Sequence, residues 1–312
     1  MISERPLNFL WRRATLDFVL EGYFIREILL GALDRPLRVI PLEDDQPVPF
    51  GHDMLIASLN TEAAPLLKEA RARGFRNIGL FHMGDEEGTQ ERAFYAHADY
   101  VIRNYWCEPA FKPPHDRSLG VIWVPNGYRH GVGPLNPRRH LTIAQRQIIG
   151  FFAGAMTGRL LANQREAMLN AVSAAKLPFA IITTEGFGKG LGPLSYISLL
   201  GNTRFALVPA GNSHETIRLY DALEAGAIPI MIRSAFVGET AALGALGEPP
   251  FILLESWDQL AAAYGPYADA SADAVTAALE EKRQAVIRWW AAFKITQQMK
   301  VKELVERSFA EN

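Results

Sequence analysis

The chain has 312 residues, 49% of them hydrophobic and 21% charged, with a formal net charge of −2. That is the composition of a globular protein long enough for two domains with separate cores. A near-neutral chain without a long Lys/Arg block excludes nucleic acid as a partner drawn in by charge, and a single cysteine, Cys107, excludes an intrachain disulfide framework and suits a reducing compartment.

At the N-terminus Arg5, Arg12, Arg13 and Asp17 interrupt every apolar run, so no secretory leader is expected. No stretch nears the roughly 18 apolar residues of a spanning helix. The expectation is a cytoplasmic protein, with peripheral attachment to the inner face of the membrane left open.

Residues 7–33 mix apolar and charged residues at helical spacing, and Gly31 and Pro36 close that segment. Short strands are predicted at 38–40, 54–58, 77–82, 99–103 and 119–124, with helices at 62–73 and 89–98 between them. Residues 125–147 are rich in Pro, Gly and cations and read as a linker. The alternation then restarts with strands at 150–153, 178–183, 205–208, 228–232 and 251–254. Helices are predicted at 163–174, 194–200 and 215–225, from Trp257, and over 270–308. Strands alternating with helices of about ten residues predict an α/β protein of two Rossmann-like domains facing a cleft. The predicted division is 1–140, 141–290, and a C-terminal helix over 291–312 packing back on the N-terminal domain.

One stretch is denser in signals than any other: NTRFALVPAGNSHETIRLYDALEAGAIPIMIR, residues 202–233. A buried strand runs into the turn residues Pro209 to Ser213, then a helix stopped by Gly226, then a second buried strand. The turn offers Asn212 and Ser213 as N-caps, and main-chain N–H groups at a helix start suit a phosphate. His214, Arg218 and Asp221 share one helix face, so a nucleotide diphosphate would meet Arg218 through phosphate and Asp221 through ribose hydroxyls. The alternative is an ordinary surface pair between Arg218 and Asp221.

Upstream, GFFAGAMTGRLLANQR (residues 150–165) ends a strand in small residues and carries Arg159 and Arg165, two cations able to offset a diphosphate. A structural turn with surface arginines is the alternative. After the next strand, Thr183, Thr184 and Lys189 lie in a glycine-rich loop that reads either as a donor contact or as plain surface.

In the first half, FHMGDEEG (residues 81–88) sets Asp85 and Glu86 at a strand's carboxyl end, where a base for an acceptor hydroxyl would serve. Both acids also suit the start of the predicted helix at Thr89. Arg103, Asn104 and Tyr105 follow another strand and offer polar and aromatic contacts to a sugar, or core packing. His130, in the loop PNGYRHG, is a weaker base candidate. The seven histidines show no ligand spacing, so no metal is expected.

The stretch 202–233 resembles the signature of exostosin-type glycosyltransferases, with its phenylalanine strand, Pro-x-Gly loop, Ser followed by Arg, and acidic-Ala-Leu-x-Ala-Gly-x-Ile-Pro run. The resemblance is dense over about thirty residues and looser over perhaps two-thirds of the chain. It implies a two-domain GT-B type fold whose second domain holds a nucleotide-sugar, and a ribose contact at Asp221, an Asp where the family carries Glu. It also implies a phosphate loop at Arg159 and Arg165, and a base within the His-x-x-Asp-Glu pattern at Asp85 and Glu86. The activity implied is transfer from a nucleotide-diphosphate sugar, UDP foremost, to a hydroxyl of a glycan or glycolipid acceptor, with inversion and without a cofactor. A nucleotide-sugar or glycan binding protein without turnover and a sugar-nucleotide epimerase or hydrolase are the rival readings.

Overall fold

The computed structural model describes residues 5–44, 46–107, 120–156, 162–186, 188–237, 242–269 and 273–310. The chain divides into two compact units, residues 1–126 with 294–312, and residues 127–293. The segment 127–140, expected with the first domain, thus belongs to the second unit. The last helix, Asp273–Ala310, is shared between the units and divides at Phe293.

In the first unit β1 (Leu7–Arg12), β2 (Leu37–Leu42), β3 (Met54–Leu59), β4 (Ile78–Met83), β5 (Tyr100–Arg103) and β6 (Val121–Trp123) form a parallel sheet in the order β2-β1-β3-β4-β5-β6. The helical expectation over residues 7–33 is therefore corrected at its start. Leu7–Arg12 is a strand lying between β2 and β3, with Phe9 opposite both Val39 and Leu55. A strand covered on both faces has no hydrophobic alternation, so its sequence imitates part of an apolar helix. A single turn, α1 (Arg13–Leu16), and a π-helical segment at Phe24–Leu29 follow it.

α2 (Ala64–Ala72) packs Leu67 and Ala70 against Leu10, Ile56, Leu80 and Val101, all fully out of solvent. The helix expected over 89–98 is reduced to a 3-10 turn at Ala93–His97. The Asp85 carboxylate accepts the Thr89 and Gln90 N–H groups ahead of that turn.

The second unit has a parallel sheet in the order β11-β10-β9-β7-β8, made of β7 (Ile148–Ala155), β8 (Phe179–Thr184), β9 (Thr203–Leu207), β10 (Ile228–Ile232) and β11 (Ile252–Leu254). The helices are α3 (Ala162–Ala174), α4 (Pro193–Gly201), α5 (Ile217–Glu224), the short α6 (Leu260–Tyr264) and α7 (Asp273–Ala310). Phe152, Phe205, Leu207, Ile228 and Ile230 carry the core, closed by Met168 of α3 and by Trp257 and Leu260. Because all strands run the same way, the loops after β7, β8 and β9 leave one edge of the sheet. No helix among the described residues is long and apolar enough to cross a membrane.

Candidate functional site

Two arginines of the second unit reach the end of β7 from different helices. Arg165, in the first turn of α3, donates from Nη1 to the Ala155 carbonyl at 2.5 Å. Arg218, in the first turn of α5, donates from Nε to the Ala153 carbonyl at 3.1 Å and lies over the Phe152 ring at 4.8 Å. Glycine makes room for both. A Cβ on Gly154 would stand 2.3 Å from Nη2 of Arg218, and one on Gly211 would stand 2.6 Å from Nη2 of Arg165. The Pro209–Ser213 loop is tied to the same place, since Ala210 N–H donates to the Gln164 side chain at 3.1 Å.

The two small-residue segments singled out in the sequence therefore meet at one strand end. Burial lowers the pKa of the Arg218 guanidinium from its ordinary value, the mark of a charge removed from water. Thr183 is exposed and pairs in register with Gly154 on the neighbouring strand, and Asn212 is half-buried. Arg159 lies outside the described residues.

The cap of α5 differs from expectation. Ser213 Oγ accepts from Glu215 N–H at 3.1 Å, and the buried Glu215 carboxylate accepts from the Tyr220 hydroxyl at 2.8 Å. Those bonds hold 213–215 as a turn, and Thr216 caps the helix by accepting from Arg218 N–H at 3.4 Å.

Asp221 does not pair with Arg218. It is fully buried, and its two oxygens accept the Arg129 main-chain N–H at 3.0 Å and Arg129 Nε at 2.7 Å. Burial raises its carboxyl pKa against the opposing pull of Arg129. Arg129 lies over the ring of Tyr196, on α4, at 4.4 Å. Arg129 is not legible as a site residue in the sequence because its partner is 92 positions away. Its only local signal is a cation in a Gly-rich loop.

In the first unit the loop after β4 is organised by a buried ion pair. Asp85 Oδ1 accepts Thr89 N–H at 3.0 Å and Gln90 N–H at 3.2 Å, and Oδ2 accepts Arg103 Nη2 at 3.1 Å. Arg103 also donates to the Tyr95 hydroxyl at 3.3 Å and to the Asn104 carbonyl at 3.2 Å. Asn104 is buried and donates to Glu21 at 3.0 Å. Arg103 and Asn104 are thus committed to internal partners. Glu86 and Tyr105 are half-buried, and the Tyr105 hydroxyl donates to Glu86 Oε1 at 3.2 Å. His82, behind this loop, bonds Tyr95 and Gln90, and burial with Arg103 nearby brings its pKa down to about 4. Among the described residues no three His, Cys, Asp or Glu side chains group as metal ligands.

A family model described as the RXYLT1 C-terminal domain matches residues 192–310, which includes α4, α5 and the strands around them. No curated protein matches the chain. Among solved structures the chain is similar to sucrose-phosphate synthase from Thermosynechococcus elongatus, at 11% identity and a TM-score of 0.56, covering 99% of this chain and 100% of that one. It is also similar to the pneumococcal O-GlcNAc transferase GtfA in complex with UDP and GlcNAc, at 14% identity and a TM-score of 0.49, over 83% of this chain and 58% of that one. The chain has a glycosyltransferase-like α/β fold of the GT-B type, as its sequence predicts.

Proposed function

We propose that the protein is a glycosyltransferase moving a sugar from a UDP-sugar to a hydroxyl of a glycan or glycolipid acceptor, with inversion at the anomeric carbon. One observation carries the reading: Arg165 and Arg218 come from two helices to the end of one strand, beside Gly154 and Gly211, which leave room for nothing larger. Breaking the glycosidic bond leaves a diphosphate with growing negative charge. Fixed cations at a strand end stabilise that charge without reorganising at the moment of reaction. With such cations supplied by the protein, the transfer is read as metal-independent. Asn212, Ser213 and Thr183 would line the donor, with Arg159 as a further candidate cation.

The acceptor hydroxyl attacks poorly until its proton is being removed. Asp85 is the leading base candidate by sequence, but three donors occupy its carboxylate and the residue is only 3% exposed. Glu86 is the better base: it is half-buried, held by Tyr105, and adjacent in the same loop. Tyr105 would then contact the acceptor, with Arg103 and Asn104 supporting it from beneath.

The saturation of Asp85 also favours a second reading, a nucleotide-sugar binding protein without turnover. Incubation with a panel of UDP-sugars and glycan acceptors, with released UDP as the readout, separates the two. Acceptor-dependent UDP release supports the transferase. UDP binding without release across the panel supports the binding protein, and absence of UDP binding removes both.

A further inference from the structure

The Arg129–Asp221 pair is built more tightly than a structural link between a loop and a helix requires. Asp221 takes the main-chain N–H and Nε of Arg129 with separate oxygens, and the Tyr196 ring lies under the guanidinium. Those contacts fix the plane of the guanidinium and use only its inner edge. Among the described residues nothing partners its terminal nitrogens, and the side chain is 21% exposed. Beneath it, the Tyr196 hydroxyl is buried with no hydrogen-bond partner among the described residues, in a residue only 3% exposed. A buried hydroxyl lacking an acceptor is unfavourable unless something supplies one.

Arg218, one helical turn before Asp221, adds a second, half-buried guanidinium that feels the same Asp221 charge without bonding to it, so two cations stand against one carboxylate. A sugar hydroxyl would answer the phenol but not the charge. A phosphoryl oxygen answers both.

We propose that Arg129, Arg218 and the Tyr196 hydroxyl form an anion subsite for the terminal phosphoryl group of a diphosphate, with Asp221 as the residue that positions Arg129. The inference rests on the nucleotide-diphosphate reading of the second unit and says which residues take its terminal phosphate. Asp221 thereby acts through Arg129, in place of the ribose contact expected from the sequence. Burial, with the neighbouring Asp221 charge, pushes the phenol up to about 12, so it remains a donor across the physiological range.

Calorimetric titration of the full chain with pyrophosphate and, separately, with UDP tests the subsite. Arg129→Gln is expected to weaken pyrophosphate binding about tenfold or more, and Tyr196→Phe about fivefold. Asp221→Asn is expected to match the Arg129→Gln loss, with the double variant no weaker than either single one. Tyr196→Phe removes one oxygen from an otherwise unchanged side chain, so it keeps the test valid if Asp221→Asn misfolds. No pyrophosphate binding by the wild type, or unchanged affinity in both Arg129→Gln and Tyr196→Phe, overturns the subsite. Additive losses in the double variant overturn the positioning role of Asp221. UDP binding no tighter than pyrophosphate leaves the subsite standing and removes the nucleotide reading.

Discussion

Arg103 donates from Nη2 to Asp85 Oδ2 at 3.1 Å with both side chains out of solvent. A charge pair in that setting is held in place by its own removal from water, since breaking one side leaves the other uncompensated. Asp85→Asn keeps an oxygen for the Thr89 and Gln90 N–H groups but strands the Arg103 guanidinium. The expected loss is about 3 kcal/mol of folding stability, read from urea unfolding. Stability within 0.5 kcal/mol of wild type, a margin of about the size of a surface substitution, would show that Arg103 finds other partners.

Glu86→Gln separates chemistry from binding. Removing a general base costs about a hundredfold or more in kcat, whereas the residues proposed to meet UDP are others, so its affinity should not change. Turnover close to wild type, measured with saturating donor and acceptor, would move the base elsewhere.

Gly154→Ala reaches Arg218, the cation proposed to meet the donor, without touching its charge. The new methyl would stand 2.3 Å from Arg218 Nη2, so the guanidinium must leave its place over Phe152. The clash is with the tip of a long side chain, so the fold should persist with a melting temperature near wild type. UDP affinity should fall by about tenfold, the value of one charge-assisted hydrogen bond. Unchanged affinity by calorimetry would detach Arg218 from the site.

His82 makes stability depend on pH. Its folded pKa of about 4 lies below the ordinary 6.5, so between those values the unfolded chain binds the proton and the folded chain does not. Stability is therefore complete above pH 6.5 and is lost as pH falls toward 4, by roughly 3 kcal/mol. Urea unfolding at steps across that range should show the slope, and His82→Gln should flatten it. An equal slope in both proteins would assign the dependence to other groups.

Local order alone determined much of this protein. The run from Phe205 to Ile232 reads as strand, loop, helix and strand because parallel strands buried on both faces are short apolar runs bounded by Gly and Pro. The structure has that unit with ends shifted by one or two residues. The meeting of Arg165 with the 209–213 loop was also legible in outline, since loops at the same ends of parallel strands share one edge.

Only the tertiary structure decided the partners. Leu7–Arg12 became a strand because β2 and β3 flank it, a circumstance that a window of mixed apolar and charged residues does not encode. Asp85, placed by sequence where a base would stand, is taken up by Arg103 from the next strand. Asp221, placed where a ribose would sit, is taken up by Arg129 from a loop 92 residues earlier. Helical and strand periods report contacts within a few residues, whereas a buried charge is settled by whichever opposite charge the fold brings to it.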